Sequence, residues 1–193
     1  MNFTLSYPFK PYFITQRWGI ENPAYSQQFD DPTFKRHNGI DATTFGGPAY
    51  GQTWMVHCPV EGFVVESVSY EPGGGGNQIS LVSKQKYKLF EAECYVRLWF
   101  CHAKKVLVPV GYEPAVGELI MVANNTGFST GPHTHMGLYR LTDTKQKLDT
   151  NEATGSFDPS LFFNDKYAID EASVSTMVTN GMPYWKYLLG LSA

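Results

Sequence analysis

Three cysteines, Cys58, Cys94 and Cys101, are too few and too irregularly spaced for a disulfide framework, and no CxxC pair exists to form a thiolate zinc knuckle. They read as buried free thiols. No apolar run reaches the length of a membrane-spanning helix, so no membrane insertion is expected. The first residues, MNFTLSYPFKPYFITQRWG, hold neither the apolar stretch of a secretory signal nor a cleavage site, and the expectation is a soluble chain made without an export signal. No Lys/Arg run stands out, and the formal net charge is −3, from 15 basic and 18 acidic residues, which argues against nucleic acid as a partner. Neither HExxH nor HxxEH occurs, which excludes the helical zinc-protease designs.

What is present points to strands. The chain has 193 residues, enough for one domain with a sizeable core, and only 17% of them are charged against 42% hydrophobic. Aromatics make up 15%, and 18 Gly and 12 Pro favour strands and turns over helices. Tyr12 to Trp18 reads as an edge strand, and residues 20–36 as a loop. Gln52 to Cys58 is a short apolar run ended by Pro59. Gly62 to Tyr70 and Asn77 to Ser83 read as partners across the four-glycine turn Gly73 to Gly76. That glycine run lacks the following Lys-Ser/Thr of a phosphate loop and opens no helix. Glu93 to Ala103 alternates, with Cys94, Val96, Leu98, Phe100 and His102 of one parity and Cys101 of the other. Gly117 to Asn124 and His133 to Leu141 complete seven or eight short strands, an all-β layer architecture. Residues 1–165 are expected to form this domain. Residues 166–193 are expected to be a short, partly helical extension packing on it.

Two stretches carry chemistry. In Ser129-Thr130-Gly131-Pro132-His133-Thr134-His135, a turn delivers two histidines at i and i+2 of a strand, where side chains share a face. Neighbouring imidazoles repel when both are charged, so the pair suits the neutral form that binds metal or accepts a proton. In His37-Asn38-Gly39-Ile40-Asp41, an imidazole and a carboxylate four apart can converge on one point, as a metal site or as a simple His–Asp hydrogen bond. His102 closes an apolar stripe, and its meaning depends on what lies beside it.

Taken together and in this order, the elements resemble the lysostaphin-type family of zinc peptidoglycan endopeptidases, with its LytM-like domain. The resemblance runs over roughly residues 12–163. It begins at Gln16-Arg17-Trp18-Gly19 and continues through His37–Asp41, Val56–Val64, Phe100-Cys101-His102 and Val116–Ile120. It ends with Thr126–His135 and Phe157-Asp158-Pro159. The resemblance implies a mainly antiparallel, two-layer sheet forming an open groove. It implies one Zn²⁺ per chain held by His37, Asp41 and His135. It also implies His133 as general base and His102 as the residue that orients water and stabilises the oxyanion. His57 matches a variable position and receives no role. The sequence departs from the family at Thr134, at Met136-Gly137 and at Ala103, which puts substrate preference in doubt but leaves each of these histidines and Asp41 in place.

The expected function is hydrolysis of peptide stems or cross-bridges of bacterial peptidoglycan. The setting expected is a phage lysin released at lysis or a virion-associated enzyme acting on the cell wall. A non-catalytic wall-binding or activator module of the same fold is the alternative. Such modules typically lose metal ligands, and none is lost here.

Overall fold

The structure, a computed structural model, describes residues 2–10, 12–22, 25, 36–44, 53–147 and 155–164. The expected extension over 166–193 and most of the loop expected over 20–36 lie outside the described residues. Within them the chain is almost entirely strand: β1 (Phe13–Gln16), β2 (Ile40–Thr43), β3 (Trp54–His57), β4 (Phe63–Glu71), β5 (Gly76–Ser83), β6 (Tyr87–Leu89), β7 (Ala92–Val106), β8 (Leu119–Ala123), β9 (Thr134–Leu141) and β10 (Ser156–Phe157), then a 3-10 turn at Pro159–Phe162. The short β6, which pairs antiparallel with the start of β7, was not expected from the sequence.

The main sheet runs β1-β2-β9-β7-β5-β4, antiparallel throughout and not closed into a barrel. Its centre is β7, whose Cys94, Val96, Leu98 and Phe100 are buried in the core as the alternation requires. Beyond Cys101, β7 leaves β9 and pairs with β8, which pairs in turn with β3. This arm contributes Val56, Ile120 and Met121 to the same core as Leu98 and Phe100, so it folds over one face of the main sheet and makes a second layer. The N-terminal segment adds Phe3, Leu5, Phe9 and Tyr12 to that core. The glycine run is the turn of the β4–β5 hairpin, with Glu71 opposite Gly76.

The apolar stripe of β7 does not continue into His102. Ala103, fully buried, takes the core position instead. His102 has φ 64°, the left-handed region, and the ladder slips register beside it on both sides. The cause is the handover between partners. Cys101 lies opposite His135 on β9 and Ala103 opposite Ala123 on β8, and the one residue between absorbs the change. His102 therefore turns to the outer face of the sheet, the face that Cys101 also occupies, and the expected opposition of the two side chains is corrected.

Candidate metal centre

Asp41 and His135 meet because β2 and β9 place them directly opposite each other, and directly opposed residues in a ladder share a face. His37 arrives from the segment leading into β2. Gly39 makes that approach feasible: a Cβ there would stand 2.5 Å from the Met136 carbonyl oxygen and 2.7 Å from the His135 ring. His37 Nε2 lies 3.0 Å from His135 Nδ1 and 3.1 Å from Asp41 Oδ1, and His135 Nδ1 lies 2.9 Å from that same oxygen. His133 enters just before β9, bridged to Asn124, and its Nε2 stands 3.6 Å from Asp41 Oδ1. His102 packs against His133 with ring centroids 4.5 Å apart. His57 lies elsewhere, its Nδ1 3.2 Å from the Pro8 carbonyl.

Proton bookkeeping in this cluster leaves a deficit of positive charge. Nδ1 of His37 donates to the Arg17 carbonyl at 3.0 Å, that of His102 to Thr126 at 2.8 Å and that of His133 to Gly131 at 2.8 Å. With their protons so placed, all three rings keep a bare lone pair on Nε2. Asp41 adds further lone pairs. His135 Nδ1 can carry only one proton, so at least one edge of the His37–Asp41–His135 triangle sets lone pair against lone pair. His135 Nε2 is buried with no hydrogen-bond partner among the described residues, so the triangle is that ring's only polar contact there. A cation within the triangle resolves the conflict, and two imidazoles with a carboxylate are a borderline set suited to zinc. These three residues are close enough to hold one metal ion together.

The electrostatics agree. Burial works against the charge of Asp41, but its contacts with His135 and His37 outweigh it and hold the carboxyl well below the usual carboxylate range. Burial, reinforced by the nearby His133 and His135, pushes the His102 imidazole down to about 3. Burial also lowers His135, against the pull of Asp41. Cys101 lines the same groove, and burial followed by the charges of Asp41 and Glu71 keeps its thiol protonated, so it is no nucleophile.

The surrounding shell holds residues that the sequence reading did not single out. Asn38 donates to the hydroxyl of the fully buried Tyr139 at 3.0 Å, which ties the segment between His37 and Asp41 to β9. Tyr139 has room because position 137 is glycine: a Cβ there would lie 2.9 Å from its ring. Trp99 stands edge-on to the His135 ring at 5.5 Å. Tyr25 accepts from Gln16 Nε2 at 2.6 Å and faces His37. All of these side chains except Tyr139 line an open groove of about 560 Å³ that also contains the four site histidines. The Met136-Gly137 departure was visible in the sequence, but its link to Tyr139 and Asn38 needed the fold.

No family model matches the chain. Over 99 residues it is 33% identical to an uncharacterized metalloprotease of Haemophilus influenzae, a stretch covering 51% of this chain and 18% of that protein. Over 96 residues it is 34% identical to the glycyl-glycine endopeptidase ALE-1 of Staphylococcus capitis, covering 47% of this chain and 24% of that protein. The matched region is thus about a quarter or less of the length of these curated relatives. Among solved structures, the catalytic domain of lysostaphin from Staphylococcus simulans superposes with a TM-score of 0.52 at 22% identity, covering 78% of this chain and 91% of that one. A zinc-containing peptidase from Vibrio cholerae gives a TM-score of 0.53 at 24% identity, covering 72% of this chain and 37% of that one. In sequence the chain is similar to these lysostaphin-type peptidases over about half its length, and in fold it is similar to the lysostaphin catalytic domain.

Proposed function

We propose that this chain is a zinc metalloendopeptidase that hydrolyses peptide cross-links of bacterial peptidoglycan. The observation that carries the reading is the triangle of His37 Nε2, Asp41 Oδ1 and His135 Nδ1, with sides of 2.9–3.1 Å, in a groove where two further histidines stand beside it. Bound by these three, zinc supplies Lewis acidity to a peptide carbonyl and acidifies water at neutral pH. His133 is the base. Its proton is committed to the Gly131 carbonyl, so Nε2 is the acceptor, and that atom already faces the ligand set. His133 takes the proton of the attacking water and returns it to the leaving amine. His102 is held neutral and donates Nδ1–H to Thr126, so its Nε2 accepts a hydrogen bond and orients that water. We assign it this acceptor role in preference to oxyanion stabilisation, because an oxyanion donor at Nε2 requires a protonated ring.

We extend the proposal to directly cross-linked peptidoglycan, cut between D-alanine and diaminopimelate. A formal net charge of −3 offers no attraction to a wall rich in anionic polymers. Metal analysis of the purified chain and mass spectrometry of digested sacculi test both levels. The expected result is one zinc per chain and release of peptides ending in D-alanine. Full activity after metal removal refutes the peptidase mechanism, and exclusive cleavage of glycine bridges refutes the substrate assignment.

A further inference from the structure

The groove holds a second carboxylate that the mechanism leaves unused. Glu71 ends β4 at the four-glycine turn and lines the groove together with Cys101, His102 and Trp99. Its side chain lies back over the turn. A Cβ added at Gly74 would stand 2.6–3.0 Å from its carboxyl atoms, so a glycine at 74 is what admits the carboxylate there. Gln78 is fixed beside it from both ends. Its Oε1 accepts from Trp99 Nε1 at 2.9 Å, while its Nε2 donates to Ser69 Oγ at 3.0 Å and lies 3.5 Å from Glu71 Oε2.

The other charged groups lining the groove are engaged. Asp41 is surrounded by His37, His133 and His135, and the Lys147 ammonium sits 4.1 Å from the centre of the Tyr139 ring. Among the described residues no cation forms an ion pair with Glu71, and the Gln78 amide is its side-chain partner. Glu71 is exposed, lines the open groove and has no counter-charge among the described residues, so its carboxylate can receive an ammonium group there.

We infer that Glu71 is a specificity residue that binds a free amino group of the substrate, on the peptide flanking the scissile bond. In calling that peptide a substrate, the inference rests on the peptidase reading above. Two sources share this chemistry, a side-chain amine of a diamino acid and the α-amine of a chain end.

The test uses a sugar-free stem-peptide dimer, whose α-amine is free, in three forms: unmodified, acetylated at the side-chain amine, and acetylated at the α-amine. Cleavage by the zinc-loaded wild type and Glu71→Gln is measured. Binding of reduced-amide versions, which cannot be hydrolysed, is followed in parallel by NMR shifts. Acetylating the recognised amine is expected to raise KM and weaken binding about tenfold, with kcat little changed. Glu71→Gln is expected to do the same to the unmodified peptide and nothing further to the acetylated one. Which acetylation acts identifies the amine. The loss should shrink at high salt. Equal binding of all three forms by wild type, or an equal loss in Glu71→Gln whichever peptide is used, overturns the inference. If wild type binds the peptides but cuts none, the peptidase reading fails, and the binding arm still decides the ammonium site.

Discussion

Asp41 and His135 are brought together by regular backbone, with His37 delivered from the segment before β2, whereas His102 reaches the site where the backbone breaks its own rule. Asp41 and His135 face each other across an undisturbed antiparallel ladder. His102 occupies a left-handed conformation at a bulge, at the point where β7 changes partners. A ladder position is cheap and tolerant, since side-chain direction follows from parity alone. A left-handed non-glycine residue costs about 1–3 kcal/mol and persists only where its surroundings hold it. Here the holding groups are the Gly75 carbonyl, which accepts from His102 N, the Asn124 amide, which donates to His102 O, and the Thr126 carbonyl on its ring. The half proposed to hold the metal rests on ladder geometry, and the half proposed to orient water carries strain at a single residue.

The largest effects should fall on the ladder half. Asp41→Ala removes the one carboxylate among four imidazoles and is expected to abolish stoichiometric zinc binding, read by metal analysis after gel filtration. Activity should vanish with the metal. Retention of one zinc per chain would show that the triangle is not the site.

Next comes the bulge. His102→Ala leaves the triangle intact, so zinc is expected to stay bound while turnover falls about 10²–10⁴-fold. Loss of zinc in this variant would merge the two halves into one.

A smaller effect should come from Tyr139→Phe. It removes only the hydroxyl that accepts from Asn38, and so loosens the segment joining His37 to Asp41. Support of this kind is typically worth 10–100-fold in metal affinity. About tenfold weaker binding of cobalt in a competition titration is expected, with a melting temperature close to wild type. A melting temperature that falls while affinity holds would make Tyr139 a packing residue alone.

The smallest effect separates strain from chemistry. His102→Gly and His102→Ala should be equally slow, but glycine tolerates the left-handed region and should be more stable than alanine by about 1 kcal/mol. Equal denaturation midpoints would mean that position 102 relaxes once the imidazole is gone.

This contrast also explains what could be read from the residues. The fold class, the glycine hairpin and the shared face of His133 and His135 follow from alternation and turn chemistry, and they are local. His37 and Asp41 were legible as a converging pair, with Gly39 between them. His102 was found as a histidine but placed on the wrong face, because parity counting assumes an unbroken strand. The bulge is imposed by β8 and β9 meeting end to end on one edge of β7, through the bridge of Asn124 to His133. Histidine is among the non-glycine residues enriched at positive φ, but only a few per cent of such residues adopt it, which is too weak a signal to mark a bulge inside an alternating strand. Tyr139 and Asn38 lie 101 positions apart, and only the register of β2 on β9 joins them.

The most direct test compares the two histidines of one strand. His135→Ala and His133→Ala would each be purified with zinc in the medium, and metal content and muropeptide release measured on the same samples. His135→Ala is expected to lose its zinc. His133→Ala is expected to keep about one zinc per chain and to turn over about 10²–10⁴-fold more slowly than wild type. A zinc-free His133→Ala beside a zinc-replete His135→Ala would contradict the division of the site into ligands and base.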